Sequence, residues 1–178
     1  MNKKNISLGV IFVVLVALAY LYQGPFKHWQ TTKNKPVNFL SKLSVDKIDK
    51  ITIGDKTPQV LVKKDTNWFL QAKIDQPASS TKIADLLDQL RTATVANVEL
   101  ISSNSAKKAD FKTDVSGTKL ALSANGIELA SFVAGKLTND FQSSYLCKTY
   151  SNETFAFKGV KLYPILIDKN WAAIQVKK

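Results

Sequence analysis

Seventeen consecutive residues without a charge, ISLGVIFVVLVALAYLY at positions 6–22, constrain this chain more than any other feature. At about 1.5 Å per residue such a stretch makes roughly 25 Å of helix, close to the ~30 Å hydrocarbon core of a bilayer. Eleven of its residues are Ile, Leu, Val or Phe. Each favours insertion by about 0.3–0.6 kcal/mol, and their sum of about 3–7 kcal/mol outweighs positions such as Ser7 and Gly9. The run has no separate apolar and polar faces, which argues against a surface helix packed on a core. Tyr20 and Tyr22 stand at its far end, where an interfacial aromatic belt would sit. The pattern predicts a transmembrane helix over residues 6–22.

Lys3 and Lys4 precede the run, and Lys27, Lys33, Lys35 and Lys42 follow it. So short a leading tail ordinarily stays cytoplasmic, which gives an N-in, C-out signal anchor. A cleaved signal peptide is the competing reading, because Ala17-Leu18-Ala19 resembles a small-residue cleavage site. Apolar residues continue through Leu21 and Tyr22, where a cleavable signal would have turned polar, and this favours the anchor. The resulting organisation is a cytoplasmic tail at 1–5, the span at 6–22, a juxtamembrane linker at 23–44 and an extracytoplasmic domain at 45–178.

Charge sets the class of partner. The chain carries a net charge of +11, of which residues 1–35 supply five Lys and no acid. Arg91 is the one Arg among 25 basic residues. Nucleic-acid readers draw on Arg for bidentate contacts and stacking, so a Lys surface of this kind points away from nucleic acid and towards anionic lipid headgroups. The single Cys, Cys147, rules out a disulfide framework and a Cys-based zinc site.

Beyond the linker, which holds Gly24, Pro25 and Pro36 and no sustained period, the pattern becomes that of a sheet. Ile48, Ile51 and Ile53 lead to the turn Gly54-Asp55, Val60-Leu61-Val62 follows, and Lys64-Asp65-Thr66-Asn67 turns into Trp68-Phe69-Leu70. These predict a three-stranded meander. Pro77-Ala78-Ser79-Ser80 is a helix start with a Ser N-cap, and Ile83, Leu86, Leu87 and Leu90 recur at i, i+3, i+4, i+7 with Asp85, Asp88 and Arg91 outward. This main amphipathic helix is expected to lie across one face of the sheet, since three strands alone cannot close a core.

Residues 98–101 read as a strand and 103–110 as a short helix. Residues 119–124 and 127–133 flank Asn125-Gly126, the strongest short hairpin signal. Gly135-Lys136 reads as the opening of a polar loop, with Gly135 supplying a positive φ at a strand end. Residues 145–150 alternate, with Tyr145, Cys147 and Thr149 on one face and Leu146, Lys148 and Tyr150 on the other. Ser151-Asn152-Glu153 turns into Thr154-Phe155-Ala156-Phe157, and a short element at 160–163 is expected to stop at Pro164. Trp171, Ile174 and Val176 form the tail. The order gives an α+β domain, mostly antiparallel.

With these residues in view, residues 45–175 and the leading span resemble a bacterial family known as domain of unknown function 4340. The positions that carry the resemblance are residues 48–53, Trp68-Phe69-Leu70, the 83–90 helix, Phe132-Val133-Ala134-Gly135-Lys136, Ser144-Tyr145-Leu146 and Asn170-Trp171. The resemblance implies a membrane-anchored, extracytoplasmic protein of the kind encoded beside ABC-type transport systems related to gliding motility. Many members carry the unit repeated, whereas this chain has room for one.

A search for chemistry returns no catalytic, cofactor-binding or metal residues. Ser-His-Asp and Cys-His arrangements need an imidazole within reach of the nucleophile. The one His, His28, lies in the linker beside Trp29. A sortase-like reading of Cys147 with Arg91 fails for the same reason, and Cys147 reads as a buried core thiol. No metal-ligand spacing occurs, Asp85 and Asp88 read as a solvated helix face, and Gly135-Lys136 lacks the Gly-rich lead of a phosphate loop. Trp68, Phe69, Phe155, Phe157 and Trp171 read first as core, and second as a stacking surface for sugar or peptide. The expectation is a non-catalytic interaction module without cofactor, whose partners are the bilayer and other membrane proteins such as ABC transporter subunits. A small-ligand or glycan-binding domain is the alternative, and a Cys147-dependent enzyme a third.

Overall fold

A computed structural model of the chain describes residues 3–21, 36–71 and 76–173, with side chains in the first stretch from Ile11 to Tyr20. It has two compact units, residues 1–36 and residues 37–178.

In the first unit, helix α1 (Lys3–Leu21) takes in Lys3, Lys4 and most of the uncharged run, and the side chains of Ile11 to Tyr20 are all exposed. Among the residues so described, no helix is long and apolar enough to cross a membrane. Tyr22, the last residue of the expected span at 6–22, and the linker residues 23–35, with His28 and Trp29, lie outside the described residues.

The second unit is an α+β domain built on one eight-stranded sheet. Strands β1 (Lys50–Ile53), β2 (Gln59–Lys64) and β3 (Asn67–Leu70) form the expected meander. Helix α2 (Ser80–Val95) follows, then β4 (Val98–Ser102), β5 (Thr118–Ala124), β6 (Ile127–Leu137), β7 (Ser143–Lys148) and β8 (Thr154–Lys158). A one-turn helix α3 (Tyr163–Ile167) comes last. Every strand pairs antiparallel with its neighbours, in the order β3-β2-β1-β5-β6-β7-β8-β4. The β3–α2–β4 connection therefore carries the chain from one edge of the sheet to the other.

One face of the sheet holds the core. Ile51, Leu61, Leu120, Leu122, Phe132, Leu146, Phe155 and Phe157 meet Ile83, Leu86, Leu90 and Ala93 of α2. The helix begins at Ser79, whose hydroxyl accepts from the Lys82 N–H, and its other end is closed by Asn38. The Asn38 Nδ2 donates to the carbonyls of Ala93 at 2.8 Å and Ala96 at 3.1 Å, which are among the orphan acceptors of a helix C-terminus. Phe39 lies edge-on to Phe157 at 5.2 Å, and Leu40 is fully buried. Residues 37–44, expected in the linker, are thus packed into the domain by long-range contacts that local composition cannot reveal.

On the opposite face, the chain between β4 and β5 forms a strap over β6–β8. The expected helix at 103–110 is instead two 3₁₀ turns, Ser105–Lys107 and Ala109–Phe111. The strap is fastened by the Phe111–Tyr145 ring pair at 4.8 Å and by a buried 2.9 Å hydroxyl bond between Thr113 and Thr154. It explains why Tyr145 and Cys147 are buried although they alternate with core residues: β7 is covered on both faces.

Three local expectations are corrected. Gly135 and Lys136 lie inside β6, and the loop begins only at Thr138. Gly135 is required by contact and not by a positive φ, since a Cβ there would sit 2.2 Å from the Phe111 carbonyl oxygen. Pro164 does not stop the last element but occupies the first turn of α3, where its missing N–H is an orphan in any case. Ile48 is buried at the end of a 3₁₀ turn, Val45–Lys47, and not in β1. The hairpin at Asn125-Gly126 is as expected, with φ of 51° and 78° at its two central residues.

Candidate functional site

An antiparallel sheet has two edges, and here they differ. The outer edge of β3 is covered by its own chain: the Ala78 N–H donates to Trp68 O at 2.8 Å and the Leu70 N–H to Gln76 O at 3.1 Å. Ala78 in turn bridges to Ala172. Among the described residues the outer edge of β4 carries no such cover, and no backbone hydrogen bond outside the β4–β8 ladder reaches Val98–Ser102.

The ladder register tells which groups face out. Lys158 N–H donates to Asn97 O, and Glu99 lies opposite Ala156. Bonded and non-bonded pairs alternate, so the N–H and C=O groups of Val98 and Leu100 point away from the sheet. Beside them Leu100 is 44% exposed and Ile101 is 36% exposed. One ion pair, Glu99 with Lys158 at 3.4 Å, is the only charge pairing along this strand among the described residues. A free row of backbone donors and acceptors flanked by exposed apolar side chains is what strand addition requires, and sheets ordinarily blunt such edges.

The residues singled out by sequence are dispersed. Cys147 is buried, and desolvation pushes its thiol up from the ordinary cysteine value, partly offset by the charge of Lys108. Its Sγ lies 3.3 Å from Ser151 O, a hydrogen-bonded core thiol in an environment that disfavours the thiolate. Arg91 is bound on the helix surface to Asp88 at 2.6 Å and to Asp46 at 2.9 Å, away from Cys147. Its pKa is raised, first by the Asp46 hydrogen bond. Among the described residues no group of three His, Cys, Asp or Glu could hold a metal ion. Trp171 is 1% exposed, so its ring is spent on the core and offers no stacking face, and Trp68 is half-buried against the core.

The exposed aromatics are others. Tyr150 is fully exposed at the β7–β8 turn, and Phe141 is 69% exposed in the β6–β7 loop, each with a positive φ (64° and 58°). Tyr150 rims a shallow trough of about 310 Å³ floored by Thr52, Ala121 and Ser131. Phe141 rims another, of about 330 Å³, with Lys112, Lys136 and Tyr163. The sequence held one signal for Phe141, an isolated large apolar residue in the polar segment TNDFQSS. The open edge of β4 had none, because edge position depends on which strands pair.

Comparison with known proteins decides nothing further. No family model, curated protein or solved structure matches this chain.

Proposed function

We propose that this chain is a single-pass, membrane-anchored interaction module, whose α+β domain sits outside the bacterial cytoplasmic membrane and docks an extended segment of another membrane protein along β4. The observation that carries the reading is the open β4 edge, with Val98 and Leu100 presenting unpaired backbone groups beside exposed Leu100 and Ile101. The uncharged run within 6–22 supports the anchor. The buried Cys147 and the dispersal of Arg91 from it support a non-catalytic role. The resemblance to the domain of unknown function 4340 family supports an envelope or ABC-type transport assembly as the setting.

Affinity isolation of the tagged full-length chain from gently solubilised membranes tests this. Other membrane proteins should come along in fixed proportion, and Leu100→Lys should remove them by placing a charge on the open edge. Ile127→Lys, at the exposed hairpin away from β4, should not. Recovery of the wild-type chain alone, as a monomer, would refute the reading.

A further inference from the structure

Several loops converge on one end of the sheet. Asn38, where the chain enters the domain, binds the last turn of α2, which leads into the start of β4. The start of β4 pairs with the end of β8, and the end of β8 with the start of β7. Ser144 of β7 lies opposite Leu137, so the loop holding Phe141 is at this end too. Thr118, which opens β5 after the strap, lies opposite Ala134 of β6 and brings Val115 to the same end. Val37, Val95, Val115 and Phe141 are therefore exposed apolar side chains at a single end of the domain, Val115 being 97% exposed.

The loop that presents Phe141 is tightly built. Thr138 N–H donates to Ser143 O at 2.8 Å, and Phe141 N–H donates to Thr138 O at 2.9 Å. The Asp140 carboxylate accepts from the Thr138 hydroxyl at 2.5 Å and from Gln142 N–H at 3.0 Å. These bonds hold Phe141 at a φ of 58°, a conformation that is costly for a bulky residue, with its ring in water. Folding alone gains nothing from that arrangement.

Charge selects what the ring meets. Lys112 and Lys136 line the groove beside Phe141, and among the described residues neither is in an ion pair. The nearby carboxylates Asp114 and Asp140 keep their negative charge, each held by donors of its own loop and faced by a further lysine, Lys108 and Lys158 respectively. Apolar tips on separate loops, interspersed with lysines, suit a headgroup layer, where apolar groups enter the acyl boundary and lysines meet phosphates. A single protein pocket would instead need the tips gathered in one place.

We propose that this end of the domain is a contact surface for an anionic phospholipid headgroup layer, entered by Phe141 and bound electrostatically by Lys112 and Lys136. The inference rests on the membrane-anchored reading.

The test uses the full-length chain with Phe141→Cys in a Cys147→Ser background, labelled with an environment-sensitive fluorophore. It is reconstituted into phosphatidylcholine vesicles with or without phosphatidylglycerol. The 141 label should shift to the blue and brighten several-fold with phosphatidylglycerol. High salt or Lys112→Glu with Lys136→Glu should reverse the change, and a label at Asn125→Cys, at the opposite end of β5, should not respond. A 141 label that stays in water in both vesicle types overturns the inference. A label shielded only in native membranes overturns it in favour of a protein partner. Alkaline extraction of the same vesicles, performed after the fluorescence is read, tests the anchor separately: release of the chain refutes the anchor, while the 141 signal still decides the lipid contact.

Discussion

Gly135→Ala separates two opposed physical effects by sign. Gly135 lies within β6, outside the left-handed region, so backbone entropy alone makes the substitution stabilising by about 0.4–1 kcal/mol through the unfolded chain. Contact says the reverse. The new Cβ would meet the Phe111 carbonyl oxygen at 2.2 Å and Thr113 Cγ2 at 2.8 Å. An ordinary contact is near 3.4 Å, so the strap would have to retreat by about 1 Å. That retreat stretches the 2.9 Å bond between Thr113 and Thr154 beyond hydrogen-bonding range and strands the fully buried Thr154 hydroxyl, while Thr113 keeps the Lys108 carbonyl at 3.3 Å. A stranded hydroxyl costs about 1–3 kcal/mol, and loosening the Phe111–Tyr145 pair about 0.5–1.5 kcal/mol more. Set against the entropic gain, these leave a net destabilisation of about 0.5–4 kcal/mol. In urea, with a slope of about 1.5 kcal/mol/M for a domain of this size, the midpoint should fall by about 0.3–2.7 M. Trp171 in the core reports the transition. Gly126→Ala is the control: nothing lies within 4 Å of its Cβ, so only the strain of its φ of 78° is felt, about 1 kcal/mol. A Gly135→Ala midpoint equal to or above that of the wild type would refute the account of the strap.

Other outcomes follow from the same contacts. Asn38→Ala removes the amide that closes the α2 C-terminus and should destabilise the domain by about 1–2 kcal/mol, read as a lower urea midpoint. Cys147 should resist alkylation at neutral pH in the native state and react fully in denaturant, and rapid native labelling would contradict its burial. Asp168 and Asp140 have pKa values below the ordinary carboxylate value, held there first by the Lys82 and Thr138 hydrogen bonds respectively. Their contribution to stability is complete above about pH 4 and is lost as the pH falls through their lowered folded values. Urea midpoints should therefore fall below pH 4, and less steeply in Lys82→Met, whose Asp168 lacks its partner. An equally steep fall would refute that assignment.

Local chemistry made much of this protein legible. Short β-rich runs between turn residues marked β1–β3, and Asn125-Gly126 placed the hairpin of β5 and β6 because a two-residue turn needs two positive φ angles. Ile83, Leu86 and Leu90 placed α2 and its buried face, because 3.6-residue periodicity is a property of neighbours along the chain. The uncharged run at 6–22 set the expectation of an anchor before any fold was known. Tertiary structure decided the rest. Only pairing with β8 makes β4 an open edge, and only the strap crossing β6 explains Gly135. Only the long-range grip of Asn38 on α2 draws residues 37–44 into the domain, and only the loop's own hydrogen bonds keep Phe141 in water. The division has one physical cause. Periodicity and turn angles are set by residues a few positions apart, whereas edges, straps and exposed tips depend on contacts between segments whose separation in sequence leaves no local trace.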